Sequence, residues 1–270
     1  MSAVAPTGPQ DPGEPGTVRL DFDGQVATVT LDRPAKLNAL TPEMLGSLEK
    51  ALALLSTTDT RVVVLRGAGE KAFCVGADIN RFSVLSPLEM WQFWTARGHQ
   101  VFGCLSRLRP PTVAVLHGAT LGGGLELALA CDFRVAAKDA RLGLPEVGLG
   151  TVPGWGGTER LTEVVGRTRA KEVVLARRVL DGQTAHEWGL VNRVAGREGL
   201  EAALDELVSD LAGGAPMAVQ LAKQLIDAAA DGAPRGVLEP LASGLAAATN
   251  DLREGVAAFK ERRSPVFHGH

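Results

Sequence analysis

Short, apolar, β-branched runs alternate along this chain with glycine-rich turns and helical segments, and that alternation restricts it to stacked β–turn–α units. Arg61–Arg66 carries Val-Val-Val-Leu and leads into a glycine loop from Gly67 to Gly76. Thr112–Leu116 follows Pro110-Pro111, and Gly118–Gly124 then opens a helix over Leu125–Ala130. Asp132–Ala136 and Arg141–Gly143 read as further short strands. Runs this short, without polar alternation, suit strands buried on both faces. Their recurrence with turns and helices gives an α/β fold.

The flanking segments carry their own signals. Thr17–Phe22 and Gln25–Leu31 read as strands joined by Asp23-Gly24, a two-residue hairpin turn in which glycine accepts positive φ. Asp32–Leu40 is a loop. Thr41 and Pro42 supply an N-cap and a first-turn proline, and Met44, Leu48, Ala51, Leu52 and Leu55 follow at helical spacing. Ser86-Pro87 starts a long helix that runs to about Leu108. Beyond residue 157 the pattern is helical, with one short strand expected at Leu190–Arg193. From about 199 it becomes a row of helices: Glu201–Leu211, Pro216–Asp231, Val237–Asn250 and Leu252–Arg263. Their alanine-rich faces suit close packing against another element or subunit. Residues 1–16 hold Pro6, Pro9, Pro12 and Pro15 and almost no large apolar side chain, the composition of a disordered leader. Three parts result: the leader, an α/β core over 17–198 that holds the candidate site, and a helical region over 199–270.

At 270 residues, 45% apolar and 22% charged, the chain has the balance of an ordinary globular domain. A net charge of −3 gives no nucleic-acid surface. The one basic cluster, Lys260–Arg263, reads as a solvated helix end. No stretch approaches the about 20 apolar residues of a membrane span, and no secretory leader is evident. Cys74, Cys104 and Cys131 lie in apolar stretches without metal or redox spacing, which points to reduced core thiols and a cytoplasmic location. His117 reads as a satisfied core histidine, and no metal site is expected. Trp91 and Trp94 read as helix packing.

The chemistry concentrates in two glycine-dense segments, each with one glutamate: Leu121-Gly-Gly-Gly-Leu-Glu126, and Glu146 in the stretch from Leu144 to Gly157. Apolar surroundings raise a carboxyl pKa, and two carboxyls in one pocket repel and share a proton. Such a pair serves as general acid and general base. The glycines free backbone N–H groups to face a developing oxyanion. Gly122–Gly124 open a helix, where N–H groups are unpaired and partly positive. There is no G-x-G-x-x-G fingerprint for a dinucleotide. The loop Lys71–Asn80 reads by itself as a plain strand-to-helix connection, and the alternative is a loop that puts the Ala77 N–H over a pocket. Trp155, between Gly154 and Gly156, reads equally as a core plug and as a wall of that pocket.

These stretches, together with Leu31–Leu40, Ala72–Ile79, Cys131-Asp132 and Pro153–Thr158, resemble the crotonase superfamily, specifically its enoyl-CoA hydratases, from about residue 17 to 263. The resemblance implies a crotonase-like spiral of ββα repeats with a C-terminal helical trimerisation region, commonly a dimer of trimers. It implies Ala77 and Gly123 as the oxyanion hole, and Glu126 and Glu146 as the catalytic carboxylates. It implies CoA or substrate contacts at Lys36, Leu37, Val75, Asp78, Ile79, Asn80 and Trp155, with Phe259 and Arg262 reaching CoA on a neighbouring subunit. The activity implied is addition of water to trans-2-enoyl-CoA in fatty acid β-oxidation, with Glu126 handling the water and Glu146 the Cα proton, and with no cofactor beyond the CoA of the substrate. The alternatives are an enoyl-CoA isomerase or another crotonase-type acyl-CoA lyase on the same scaffold, and after them a non-catalytic acyl-CoA- or RNA-binding relative. A serine hydrolase is disfavoured because no serine stands in the Gly122–Glu126 turn.

Overall fold

The computed structural model describes residues 15–270. The expected leader over 1–16 lies outside them but for its last two residues, of which Pro15 accepts a hydrogen bond from Thr41 Oγ1 at 2.9 Å.

Two sheets organise the chain. The larger has the order β1 (Thr17–Asp23), β2 (Val26–Asp32), β3 (Val62–Gly67), β5 (Thr112–Leu116), β7 (Phe133–Ala137), β10 (Arg193–Ala195); the smaller has β4 (Ala72–Cys74), β6 (Ala119–Leu121), β8 (Arg141–Gly143), β9 (Leu180–Asp181). Each spiral turn sends one strand to the large sheet, one to the small sheet, and then a helix outside. β3 and β4 precede α2 (Ile79–Phe82), α3 (Pro87–Glu89) and α4 (Ala96–Ser106). β5 and β6 precede α5 (Gly123–Leu129). β7 and β8 precede α6 (Gly157–Val165) and α7 (Arg167–Leu175). Because the turns stack, strands contributed by successive turns pair in parallel: β3 with β5, β5 with β7, β4 with β6, and β6 with β8. The antiparallel β1–β2 hairpin starts the spiral, with Gly24 at φ 56° in its turn.

The central strands β3 and β5 are buried through Val62–Leu65 and Thr112–Leu116, consistent with their unbroken apolar runs. Helix α1 (Pro42–Leu55) covers the hairpin side with Met44, Leu45, Leu48, Leu52 and Leu55, and Thr41 caps it by accepting from the Met44 N–H at 3.2 Å.

Four features differ from the sequence expectation. β4, β6 and β9 are strands of two or three residues inside segments read as loops or helices, too short to carry a period-2 pattern. The last core strand is Arg193–Ala195, displaced from Leu190–Arg193, because the Leu190 and Val191 N–H groups both turn back to the Ala185 carbonyl after α8 (Gly182–Glu187). The long helix from Ser86 contains a π-helical stretch, Met90–Thr95, between α3 and α4. Finally, Cys104 is only half-buried, whereas Cys74 and Cys131 are core thiols that burial pushes up to about 12.

The C-terminal row is helical as expected: α9 (Leu200–Ala212), α10 (Pro216–Ala230), α11 (Arg235–Ala247) and α12 (Asn250–Glu261). α9 packs on the large sheet through Leu200, Leu204 and Leu207. α10 and α11 pack on each other and leave Ile226, Val237, Leu241 and Leu245 exposed. The tail returns over α12, where the buried Asp251 accepts from the His268 and Gly269 N–H groups at 2.8 Å each. In the basic cluster, Arg263 is paired with Glu254 and Glu261. No helix among the described residues is long and apolar enough to cross a membrane.

Candidate active site

The loop between β2 and α1 is built first. Asn38 is fully buried at φ 57°; its Oδ1 accepts from the Arg33 N–H at 2.9 Å, and its Nδ2 reaches the carbonyls of Ala68, Ala72 and Phe73 at 2.9–3.1 Å. That side chain ties the loop to β4. Leu40 then forms a parallel bridge with Ala77: the Leu40 N–H donates to the Gly76 carbonyl at 2.7 Å, and the Asp78 N–H donates to the Leu40 carbonyl at 2.9 Å. In such a bridge the N–H of the middle residue points the other way, so the Ala77 N–H is turned from Leu40, and Ala77 lines the cavity.

The second amide arrives from α5. Gly123 is its first residue, and an N–H there has no intrahelical acceptor. Gly76 sits at φ 92°, and a Cβ on it would fall 2.8 Å from the Gly123 nitrogen. Only glycine permits that approach, which brings the Ala77 and Gly123 amides to one cavity wall.

The two carboxyls share this cavity in different states. Glu126, in the first turn of α5, is buried, and its Oε1 accepts from the Trp155 and Gly157 N–H groups at 2.8 Å each. Burial raises its pKa against those two hydrogen bonds and the nearby Arg160 charge. Glu146 begins the 3₁₀ turn Glu146–Leu149 after β8, and neither carboxyl oxygen has a hydrogen-bond partner among the described residues. Burial, reinforced by the Glu126 charge, pushes its pKa up to about 7. Gly122 makes room for it: a Cβ there would lie 3.2 Å from Glu146 Oε1.

Of the residues singled out in the sequence, Val75, Ala77, Ile79, Gly123, Glu126, Glu146 and Trp155 line this one cavity. Trp155 is at once plug and wall. Its ring packs on Trp94 at 5.3 Å and edge-on to Phe102 at 5.2 Å. Asp78 is turned elsewhere, into an ion pair with Arg33 at 2.6 Å and the N-cap of α2 through the Asn80 N–H at 3.0 Å. Asn80 and Lys36 are exposed outside the cavity, and Leu37 lines a separate hollow with Gly69 and Lys71. Phe259, on α12, is 85% exposed, and Arg262 ends that helix at φ 54°.

Several residues were not legible as site residues. The N–H donors from Trp155 and Gly157 lay in a glycine-dense stretch, but nothing local showed which carboxyl they serve. Trp94, read as helix packing, also lines the cavity, with Met90 and Thr95. His117 departs from the expectation of a satisfied core histidine: it is half-buried, its Nε2 has no hydrogen-bond partner among the described residues, and burial, against backbone hydrogen bonding at Val115 and with the Arg197 and Arg66 charges, lowers its pKa. No group of three or more metal-ligating side chains occurs among the described residues.

Residues 21–270 match the family model described as Enoyl-CoA hydratase/isomerase. The chain is 37% identical to the short-chain-enoyl-CoA hydratase of Clostridium acetobutylicum, over 93% of this chain and 97% of that protein. It is 35% identical to the crotonyl-CoA hydratase of Syntrophomonas wolfei, over 92% and 96%. The crystal structure of an enoyl-CoA hydratase from Bacillus anthracis superposes with a TM-score of 0.89 at 36% identity, covering 94% of this chain and 99% of that one. With its spiral of ββα turns and this similarity over nearly its whole length, the chain belongs to the enoyl-CoA hydratase/isomerase family of the crotonase superfamily.

Proposed function

We propose that this protein hydrates trans-2-enoyl-CoA thioesters to 3-hydroxyacyl-CoA. The observation that carries the reading is one cavity lined by Ala77, Gly123 and two glutamates, one held by two backbone N–H groups and one without a hydrogen-bond partner among the described residues.

In this reading the two amides hold the thioester oxygen. Polarised toward them, the double bond becomes electrophilic at Cβ. Glu126, kept as the carboxylate by the Trp155 and Gly157 N–H groups, takes a proton from water while the water oxygen bonds Cβ. The π electrons move toward the thioester oxygen and return to Cα, which takes the Glu146 proton. Glu126 ends protonated and Glu146 ionised, and transfer of one proton between them restores the starting state. Loss of one oxyanion donor typically costs about 10²–10³ in rate, and each acid–base group contributes about 10²–10⁴. Both protons and the developing charge are handled by the chain itself, so the reaction needs no group beyond the CoA of the substrate.

In this reading Val75 and Ile79 in the cavity lining, and Lys36, Leu37 and Asn80 outside it, contact the CoA. Phe259 and Arg262 stand apart from the cavity of their own chain, as suits contact with CoA on a neighbouring subunit. The exposed apolar faces of α10 and α11 support a trimer or a dimer of trimers. The unpaired cysteines suit a reducing compartment such as the cytoplasm.

Glu126→Gln and Glu146→Gln are each expected to slow crotonyl-CoA hydration by orders of magnitude while acyl-CoA binding survives. Near-full activity in either variant overturns the assignment, and conversion of a 3-enoyl-CoA to the conjugated isomer without hydration would favour the isomerase.

A further inference from the structure

The lining of the cavity is uneven in its exposure. Ile79, Leu149 and Val152 at its lining are 54%, 62% and 67% exposed, whereas Trp94 and Trp155 are 8% and 3% exposed. A CoA moiety is far too large to be enclosed here, so a thioester held at Ala77 and Gly123 must send its CoA out past the exposed residues. Its acyl chain is left facing the tryptophans.

The tryptophans form a fixed wall. In the π-helical stretch Met90–Thr95, residues five apart share a face, which sets Met90 and Thr95 on the cavity together with Trp94 while Trp91 and Phe93 stand exposed. Trp94 rests on Trp155, and Trp155 has nowhere to retreat. A Cβ on Gly98 would fall 2.1 Å from its Nε1, a Cβ on Gly123 would fall 2.6 Å from its Cζ3, and Phe102 closes the remaining side. Rings packed this closely move only with their neighbours.

We infer that Trp94, backed by Trp155, closes the acyl end of the cavity and restricts this protein to short acyl chains. The inference rests on the acyl-CoA reading of the site but not on its chemistry. A longer chain must either displace the stacked rings or leave methylenes in water. Each misfitted methylene in an apolar pocket is worth about tenfold or more in selectivity.

Binding tests this separately from catalysis. Dissociation constants of the unreactive saturated thioesters butanoyl-, octanoyl- and dodecanoyl-CoA are measured by calorimetry for the full chain, for Trp94→Ala and for Trp94→Leu, which keeps an apolar filler if the alanine variant does not fold. The wild-type chain is expected to favour butanoyl- over dodecanoyl-CoA by at least about tenfold, and the folded variants to shift that ratio toward the longer chain by about tenfold or more. Equal wild-type affinity for all three, no binding of butanoyl-CoA, or an unchanged ratio in a folded variant overturns the inference. Failure of hydration with intact chain-length selectivity would instead overturn the hydratase reading alone.

Discussion

Glu126 and Glu146 line one cavity in opposite states of hydrogen bonding: Oε1 of Glu126 takes two backbone N–H groups at 2.8 Å each, and the Glu146 carboxyl takes none. The difference separates the two acids. Amide donors favour a carboxylate, whereas a buried carboxyl without partners favours its neutral form. In the proposed hydration the pair therefore carries a single proton, resident on Glu146.

A pair that works with one proton gives a bell-shaped profile of kcat/KM against pH. Loss of that proton sets the alkaline limb, expected near 7, where burial has pushed Glu146. Protonation of Glu126 sets the acid limb, above the ordinary carboxylate range because burial raises it too. Hydration consumes no net proton, so the reverse dehydration must show the same bell. Initial rates in both directions over a pH series check this; a profile rising monotonically from pH 6 to 9 would contradict the one-proton pair.

The same burial predicts a stability effect. A carboxyl whose folded pKa is raised from 4.5 to about 7 binds its proton more tightly in the fold than in the unfolded chain. Its contribution is full below the unfolded pKa and is lost as pH rises through the folded one. Glu146→Gln cannot ionise, so it is expected to melt above the wild type at pH 8 and close to it at pH 5. A gain of about 1–2 kcal/mol is expected at the higher pH, discounted for partial solvent access. Thermal melts of both chains at the two pH values decide the sign.

Gly98→Ala puts a methyl group into the Trp155 indole, with contact distances of 2.1–2.5 Å to its Nε1, Cε2 and Cδ1. Overpacking of this kind typically costs about 1–3 kcal/mol. If the ring yields, the Trp155 N–H shifts against Glu126, so a fall in kcat is expected beside a lower melting temperature. An unchanged melting curve would mean that the stack is looser than its geometry.

Asn38→Ala removes the side chain that reaches three carbonyls and the Arg33 N–H. Buried groups left unpaired cost about 1–3 kcal/mol, and the αL backbone at this position adds strain for alanine. Because the Asn38 loop carries Leu40, which aims the Ala77 amide, activity is expected to fall more than the melting temperature alone explains. Urea unfolding and crotonyl-CoA hydration on the same variant separate the two effects.

Much of this could be read along the chain. The hairpin at Asp23-Gly24, the cap at Thr41-Pro42 and the buried strand Thr112–Leu116 are local signals, and each element stands where expected. The glycine run at 122–124 and the two glutamates were legible because their local setting is unusual. β4, β6 and β9 were not, since strands this short exist only by pairing with a distant turn of the spiral. The partner of Asp78 was equally hidden: Arg33, far off in sequence, holds its carboxylate in an ion pair.

The chain by itself determined its elements and its stock of chemistry: two acids among apolar neighbours, and glycines that leave amides bare. Only the tertiary structure decided which acid is held by N–H groups and which is left alone, because the donors to Glu126 come from Trp155 and Gly157, on a later turn of the spiral. It also decided that Trp94 lines the cavity, through a π-helical stretch and a Trp155 ring seated between two glycines. Periodicity and propensity act over a few residues, whereas desolvation, hydrogen-bond pairing and steric fit depend on what distant segments bring to the same place.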